Sequence, residues 1–239
     1  MSQFQDPLVS IGIPTFNRPA DLFNTVLQIK AQTYQHLQII ISDNGGSVDD
    51  DVLALIANDD RFEVHRNAEN IGLLRNTEKV FNLARGEYFC WFSDDDWHAP
   101  EFVEMLLKKL RDDRTVQWVF CNFYERTRNG SVRNPLRNRL SRSLTYKNFK
   151  LLSNDYHDYA LDQYIVFEAL KVSAASILHD ALIALTCENQ KYYATQKSVS
   201  IAEKSKRFCV ESVSSAIQFT RFVNSKRFQF IFISLFFVK

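Results

Sequence analysis

Residues 88–100 read Tyr-Phe-Cys-Trp-Phe-Ser-Asp-Asp-Asp-Trp-His-Ala-Pro, an apolar run that ends in three consecutive carboxylates and a proline. The run Tyr88–Phe92 is apolar on both alternating faces, which is typical of a central strand buried between two layers of helices. Open α/β sheets bind their ligands at the carboxyl ends of the strands, where Asp94, Asp95 and Asp96 would lie. The stretch therefore predicts a strand that leads directly into a site.

The spacing of the three carboxylates is compatible with a metal site, although an isolated triplet more often caps a helix. In an extended backbone residues i and i+2 point the same way, so we expect Asp94 and Asp96 to converge while Asp95 faces elsewhere. Two converging carboxylates repel each other unless a cation joins them, and Mn²⁺ or Mg²⁺ shared with a diphosphate suits such oxygens. The alternative is an acidic turn that caps the helix beginning near Pro100.

Units of strand followed by helix precede this stretch. Strands are predicted at Leu8–Pro14, Leu37–Ser42 and Phe62–Arg66, and a later one at Gln117–Tyr124. Apolar residues at helical spacing lie between or after them, at Leu22, Val26 and Ile29, at Val80, Phe81 and Ala84, and at Phe102, Val103, Leu106, Leu107 and Leu110. Repeated β-then-α units predict an α/β fold with a mostly parallel sheet flanked by helices.

Composition and charge limit the class of protein. The 239 residues are 46% hydrophobic and 24% charged, which is typical of a globular chain. Lys and Arg total 29 and Asp and Glu total 28, which gives a net charge of +1. A charge this close to zero would not attract nucleic acid to the protein as a whole. The four cysteines lack paired spacing, which argues against zinc and favours reduced thiols. Residues 1–7 have no apolar signal-peptide core, so we expect a cytoplasmic protein.

The pattern changes after Glu125. A polar, basic stretch from Arg126 to Asn148 predicts a loop. Helical spacing recurs from Lys197 to Asn224 and, earlier, at Leu170, Ala174, Ile177, Ala181 and Leu185, which predicts a mainly helical C-terminal part.

The apolar end of the chain, Phe228–Val238, leaves three alternatives open. It is shorter than the roughly 20 residues that a membrane-spanning helix needs. It could be a core element, a homodimer contact, or an interfacial anchor beside Lys226 and Arg227 that places the protein peripherally on the inner face of the membrane.

Four motifs occur in one order along the first half of the chain. They are Val9-Ser-Ile-Gly-Ile-Pro-Thr-Phe-Asn-Arg18, Ile41-Ser-Asp-Asn-Gly-Gly-Ser47, Asn70-Ile-Gly-Leu-Leu-Arg-Asn76 and Ala84-Arg-Gly-Glu-Tyr-Phe-Cys-Trp-Phe-Ser-Asp-Asp-Asp96. Together they resemble the nucleotide-binding half of glycosyltransferase family 2, enzymes of GT-A (Rossmann-like) fold, over Leu8 to Leu110. The resemblance makes residues 1–125 a nucleotide-sugar-binding core and residues 126–239 the acceptor side.

The resemblance also implies a reaction. The donor would be a nucleoside-diphosphate sugar, usually of UDP type, bound with Mn²⁺ or Mg²⁺. A single displacement with inversion would move a hexosyl group to a hydroxyl of a glycan or lipid-linked acceptor. In this family such transfers serve bacterial surface polysaccharide or lipopolysaccharide synthesis. The Gln-x-x-Arg-Trp of processive members is not found, which favours transfer of one sugar.

The motifs carry family roles onto named positions of this chain. Pro14, Thr15 and Arg18 resemble the first nucleotide-contacting loop, whose alternative role is a helix-entry turn. Asp43 matches the carboxylate that contacts the base, although the family often has a second acid where this chain has Asn44.

The remaining family roles fall on the phosphate and metal side of the site. Arg75 resembles the arginine that approaches the phosphates. The resemblance assigns Asp94 and Asp95 to the nucleotide sugar and Asp94 and Asp96 to the metal. Asp96 would ligate the metal directly, whereas Asp94 would contact the ribose or a metal-bound water.

An acidic residue should activate the acceptor hydroxyl, because the pKa of that hydroxyl is far above neutrality. Asp155, Asp158 and Asp162 follow the basic stretch, and Asp158 is our candidate base. The alternative is that these acids begin a helix, where the helix dipole favours them.

Two further functions compete with this interpretation. One is a non-catalytic or degenerate relative that binds a nucleotide sugar. The other is a sugar nucleotidyltransferase, which should have a glycine-rich, basic loop near its N-terminus, whereas Leu8–Arg18 has the single Gly12 inside a strand. A dinucleotide-dependent oxidoreductase fits worst, because no Gly-x-Gly-x-x-Gly follows the first strand.

Overall fold

The computed structural model describes residues 6–112, 118–126, 132–133, 143–144, 175–186 and 229–231. In chain order the elements are β1 (Val9–Thr15), α1 (Pro19–Lys30), β2 (Leu37–Asp43), α2 (Asp50–Ile56), β3 (Phe62–Arg66), α3 (Leu73–Asn82), β4 (Tyr88–Trp91), β5 (Trp97–His98), α4 (Phe102–Asp112), β6 (Trp118–Arg126), β7 (Val132–Arg133), β8 (Ser143–Leu144), β9 (Ala175–Thr186) and β10 (Gln229–Ile231).

The described strands form one sheet in the order β3-β2-β1-β4-β10-β6-β9-β5. Neighbours from β3 to β9 are parallel, and β5 is antiparallel to β9. The predicted α/β fold with a mostly parallel sheet is therefore confirmed. β2 and β3 lie on one side of β1, and β4 lies on its other side. The strand order therefore changes direction at β1, and doubly wound sheets bind ligands at such a point.

The core consists of the strand residues and helical stripes that the sequence pattern selected. Ile11, Ile39 and Phe89 are fully buried on the sheet. All of the predicted stripe residues of α1, α3 and α4, and Ala84 just after α3, are buried, which confirms the orientation of these helices. The stripe residues are Leu22, Val26, Ile29, Val80, Phe81, Phe102, Val103, Leu106, Leu107 and Leu110.

Gly12 allows α3 to pack closely on β1. A Cβ at this position would lie 2.7 Å from Cγ2 of Val80 and 2.8 Å from the ring of Phe89. The glycine within the first strand is therefore a packing requirement of the sheet.

The helical prediction for the region around Leu185 is wrong. Residues 175–186 form β9, a strand that pairs with β6 from Trp118↔Ala175 to Arg126↔Thr186, with irregular register near Asn122. Apolar residues in this stretch fit both the helical and the strand spacing. Parallel pairing with the long strand β6 favours the strand. The other predicted C-terminal helical positions lie outside the described residues.

Short strands also interrupt the stretch predicted as a loop. β7 returns antiparallel onto the end of β6, pairing Arg133 with Glu125, and β8 pairs with the start of β9. In the apolar tail, β10 inserts between β4 and β6, which supports the core alternative for residues 229–231. Within the described ranges no helix is long and apolar enough to cross a membrane.

Candidate functional site

The carboxyl ends of three parallel strands meet at one edge of the sheet. Thr15 at the end of β1 pairs with Asp43 at the end of β2, and Gly12 pairs with Trp91 at the end of β4. The loops after these strands carry three of the four sequence motifs. Parallel pairing therefore gathers residues that are far apart in the chain into one cleft.

Arg18 and Thr15 hold the carboxylate of Asp94 from two sides. Thr15 Oγ1 donates to Asp94 Oδ2 at 2.6 Å, and Arg18 Nη1 donates to Asp94 Oδ1 at 2.9 Å. The same Nη1 lies 2.7 Å from Asp95 Oδ2. The two predicted loops are thus joined by a hydrogen-bonded ion pair.

Asp95 does not face away from the site as we expected. The backbone of residues 94–96, which we call the acidic turn, is bent and not extended, so the alternation of an extended chain does not apply. Asp95 consequently shares Arg18 with Asp94 and also accepts from Ser93 Oγ. Asp96 is 5% exposed in the same turn.

Burial dominates the electrostatics of Asp94. It raises the pKa of Asp94, and the hydrogen bond from Thr15 and the charge of Arg18 offset that effect in part. For Arg18, burial alone would lower the pKa, but the charges of Asp95 and Asp94 outweigh it and the net pKa is raised. A carboxylate whose charged form is disfavoured by burial gains from any further cation that approaches it.

The acidic turn fits a divalent metal that arrives with a phosphate ligand. In the part of the chain that the structure describes, no group of three or more His, Cys, Asp or Glu side chains forms a metal cage. Mg²⁺ is usually held by one or two carboxylates together with substrate phosphates and water, and Mn²⁺ also prefers oxygen ligands. Asp94 and Asp95 share the single guanidinium of Arg18, so two carboxylates face one cation and negative charge remains to attract such an ion.

Asp43 builds the loop after β2. Its Oδ1 accepts from the backbone N–H groups of Gly45, Gly46 and Ser47 at 2.8–3.1 Å, and its Oδ2 accepts from Val48 at 3.1 Å. Burial alone would raise the pKa of Asp43, but these backbone hydrogen bonds outweigh it and the net pKa is lowered. Asp43 therefore shapes the loop from inside, a role that its sequence position did not suggest.

Asn44 connects this loop to the segment that precedes α3. Its Oδ1 accepts from Ile71 N and from Asn67 Nδ2, both at 2.9 Å, and its Nδ2 donates to Asn70 Oδ1 at 2.7 Å. The backbone donor at Ile71 fixes which end of the Asn44 amide is oxygen. The structure therefore explains an asparagine at position 44, because an ionised carboxylate there could not donate a hydrogen bond to Asn70 Oδ1.

Asn76 fastens α3 to the end of β2. Its Nδ2 donates to the carbonyl oxygen of Ser42 at 2.9 Å, while its Oδ1 accepts from Ser42 Oγ at 2.7 Å. Arg75 precedes it in the first turn of α3 and is exposed to solvent. Asn76 thereby fixes the helix that presents Arg75.

Two exposed aromatic side chains near the cleft were not singled out from the sequence. Phe16 is 45% exposed and lies over Gly45, where a Cβ would come within 2.5 Å of its ring. Trp97 is 40% exposed and directly follows the acidic turn. An aromatic residue in a polar turn after a strand was the available signal for Phe16.

The candidate base belongs to the part of the chain outside the described residues. Asp158, together with Asp155 and Asp162, lies outside the described residues. The site described here is therefore the nucleotide and metal side of the predicted cleft.

Comparison with known proteins identifies the family. The profile of Glycosyl transferase family 2 matches residues 10–166. The putative glycosyltransferase EpsH of Bacillus subtilis (strain 168) is 31% identical over 123 residues. That match covers 50% of this chain and 34% of EpsH, so the chain aligns with about a third of the length of this relative.

Solved structures with bound sugar nucleotides are among those that share the fold. S. aureus TarS 1–349 in complex with UDP-GlcNAc superimposes with a TM-score of 0.62 at 16% identity, covering 87% of this chain and 66% of TarS 1–349. The mannosyltransferase PcManGT from Pyrobaculum calidifontis, in complex with GDP-Man and Mn²⁺, gives a TM-score of 0.57 at 16% identity, covering 90% and 65% of the two chains. These likenesses confirm the predicted GT-A fold.

Proposed function

The chain belongs to glycosyl transferase family 2, and from this premise we propose that it is an inverting, metal-dependent glycosyltransferase. It would move a sugar from a nucleoside-diphosphate sugar to an acceptor hydroxyl. The observation that carries the proposal is the contact of Arg18 with Asp94 and Asp95 at the carboxyl edge of the sheet. A diphosphate and its metal need charges of both signs in one place, and this edge has them.

Each described residue of the site would have a distinct task. Arg18 would donate to the donor diphosphate, because a guanidinium matches phosphate geometry. Thr15 would keep the carboxylate of Asp94 oriented through the 2.6 Å hydrogen bond. Asp94 and Asp96 would hold Mn²⁺ or Mg²⁺, which when bound supplies Lewis-acid stabilisation of the negative charge that develops on the leaving diphosphate.

The nucleoside would lie against the loops after β1 and β2. Phe16 offers an exposed ring for stacking on a base. Asp43 would contribute mainly by holding the loop at residues 44–48, since its oxygens accept four backbone N–H groups. Arg75 would approach the phosphates from α3.

The finer parts of the proposal rest on the family resemblance. We propose a UDP-sugar as donor, although the solved relatives were determined with UDP-GlcNAc in one case and with GDP-Man and Mn²⁺ in the other. We also propose Asp158 as the general base, one sugar per transfer, and a glycan or lipid-linked acceptor in bacterial surface polysaccharide synthesis at the inner face of the membrane.

A nucleotide panel tests the proposal. Thermal unfolding would be followed with UDP, GDP, CDP and ADP, each with Mn²⁺ and each with EDTA. We expect one nucleotide to raise the melting temperature in a metal-dependent way, because a ligand that binds the folded state stabilises it by mass action. The absence of any nucleotide–metal shift in a folded sample would contradict the proposal.

Two variants connect that result to the site. Asp96→Asn should abolish the metal-dependent part of the shift, whereas Asp60→Asn, in the exposed turn before β3, should leave it unchanged. Slow hydrolysis of the corresponding nucleotide sugar would then establish turnover without knowledge of the acceptor. Nucleotide binding without hydrolysis or transfer over a broad acceptor panel would instead favour the non-catalytic relative.

A further inference from the structure

Helix α1 presents a row of polar side chains to the segment that contains the acidic turn. Thr25 and Gln28 are about one helical turn apart, and Gln32 follows just after the helix ends. Thr25 and Gln32 are buried and Gln28 is half-buried, whereas Asn24 and Lys30 of the same region are exposed. The row is therefore turned towards protein and not towards solvent.

Each side chain of this row bonds backbone groups on the other segment. Thr25 Oγ1 donates to the carbonyl oxygen of Asp94 at 3.3 Å, and Gln28 Oε1 accepts from His98 N at 2.7 Å. Gln32 Nε2 donates to the carbonyl oxygen of Ala99 at 2.8 Å.

Gln32 extends the contact by one further bond. Its Oε1 accepts from Val103 N at 3.1 Å, in the first turn of α4. Three side chains of one region thus satisfy four backbone groups between Asp94 and Val103, groups that would be costly to bury without partners.

The hydrogen bond from Thr25 holds the acidic turn in a gap between two strand ladders, and the bonds from Gln28 and Gln32 hold the residues that follow the turn. The pairing of β4 with β1 ends at Trp91, and the next pairing in this segment, β5 with β9, begins at Trp97. The ring of His98 stacks on Phe92 with centroids 3.9 Å apart and meets the edge of Phe102. Hydrogen bonds from the region of α1 and an aromatic stack thus both hold the segment that contains the turn.

The same helix also fixes the cation of the site. Arg18 immediately precedes α1, and its carbonyl oxygen accepts the backbone N–H of Leu22 at 2.9 Å in the first helical turn. The position of α1 therefore sets both Arg18 and the backbone of Asp94. The distance from the Arg18 guanidinium to the carboxylates of Asp94 and Asp95 therefore depends on the contacts of α1.

We infer that Thr25, Gln28 and Gln32 are positioning residues that hold the acidic turn where a donor diphosphate and its metal bind together. The inference rests on the proposed function. These side chains bond backbone groups and not the reacting atoms, so they act through the acidic turn. Misplacement by about 1 Å in an active site can cost on the order of a hundredfold in rate, so small shifts of this turn are measurable.

Gln28 gives a matched set of variants. Gln28→Met keeps the length of the side chain and removes the acceptor for His98 N, whereas Gln28→Glu keeps an acceptor oxygen. Gln35→Met is the control, because Gln35 bonds the carbonyl of Gln32 and the guanidinium of Arg61 but no backbone group between Asp94 and Val103. The readout is the dissociation constant of UDP or GDP, whichever binds, with Mn²⁺ and with EDTA.

We expect the gain in nucleotide affinity on adding Mn²⁺ to be about tenfold smaller in Gln28→Met than in wild type, because the geometry of the acidic turn is shifted. The nucleotide affinity in EDTA should be unchanged. Gln28→Glu and Gln35→Met should keep the full metal-dependent gain. Thr25→Val, compared with Thr25→Ser, repeats the test independently and decides it should Gln28→Met not fold, because valine has the shape of threonine.

Two results would overturn the inference. One is a full metal-dependent gain in both Gln28→Met and Thr25→Val. The other is an equal loss of affinity with Mn²⁺ and with EDTA, which is what general loosening of the fold would produce. A wild-type protein that shows no metal-dependent gain contradicts the proposed function itself, so the two failures are distinguishable.

Discussion

Arg18 Nη1 lies 2.9 Å from Asp94 Oδ1, across 76 residues of sequence, and so a cation of the chain itself offsets part of the negative charge of the acidic turn. A divalent ion that approaches Asp94 meets this guanidinium first. Because like charges repel, metal binding without a nucleotide is opposed until a diphosphate draws Arg18 away from the turn. Metal and donor are then expected to bind together.

Arg18→Gln tests this competition directly. The variant removes the charge next to Asp94 and Asp95, so Mn²⁺ alone should bind more tightly, by roughly three- to tenfold, or about 0.7–1.4 kcal/mol. Nucleotide affinity in the presence of Mn²⁺ should fall. Electron paramagnetic resonance of free Mn²⁺ during titration measures the first quantity, and Arg18→Lys, which keeps the charge, is the control. Equal Mn²⁺ affinity in Arg18→Gln and wild type would contradict the competition.

Asp43→Asn should destabilise the protein in a pH-dependent way. The variant keeps one oxygen, but its N–H₂ cannot accept the backbone N–H groups bound to the other carboxylate oxygen, so the loss at pH 7 should be about 1–3 kcal/mol, the usual cost of an unsatisfied buried group. The pKa of Asp43 is lowered in the folded state, so its stabilisation is present above its ordinary pKa of 3.8 and is lost as the pH falls further, through the folded pKa.

Urea unfolding at pH 7, 5, 4 and 3 measures this difference. The gap between wild type and Asp43→Asn should be largest at pH 7 and 5 and should narrow below pH 4. A gap that widens towards acid pH has the opposite sign and is incompatible with the hydrogen bonds described. Asp50→Asn, at the exposed start of α2, is the surface control.

Gly12→Ala should destabilise the sheet by overpacking. The added Cβ would meet Val80 Cγ2 at 2.7 Å, and crowding of this kind typically costs about 1–3 kcal/mol. Val80→Ala in the same chain removes the methyl groups in question, so the double variant should lose less than the sum of the two single variants. Strict additivity in urea unfolding would mean that the two side chains do not meet.

Asn44→Asp should weaken the anchoring of the loop before α3. Asp retains an acceptor for Ile71 N but places an oxygen opposite Asn70 Oδ1, where Asn44 Nδ2 now donates at 2.7 Å. We expect a loss of about 1–2 kcal/mol, in the range for an unpaired buried polar contact. Amide hydrogen exchange at Ile71 and Gly72 should accelerate, while Asn82→Asp at the exposed end of α3 should leave it unchanged.

The sequence was most informative where one periodicity dominated. The stripe of α1 at Leu22, Val26 and Ile29 is buried as predicted, and the run Tyr88–Trp91 is a central strand. The prediction was wrong at Ala175–Thr186, because an apolar run satisfies both periods and only its long neighbour β6 decides between them. Pairing between distant segments is not encoded in local spacing.

The candidate site was predictable in its composition and less so in its geometry. Arg18, Thr15 and Asp94 were identified from the motifs, and the structure brings these three together. The orientation of Asp95 was mistaken because the extended alternation ends before the acidic turn. Thr25 and Gln28 escaped notice because polar residues on a surface helix ordinarily face water, and their contacts depend on the return of a segment some 70 residues later.

The insertion of β10 between β4 and β6 has a consequence for biosynthesis. Gln229–Ile231 pairs with Tyr88 and Phe89 on one side and with Trp118 and Val119 on the other, in the middle of the sheet. A nascent chain leaves the ribosome with its N-terminal units first, and these units must wait with two open strand edges until residue 231 has been translated. Open edges of this kind invite pairing with other chains, so a transcript that stops before this codon should yield insoluble product even though every motif residue is present.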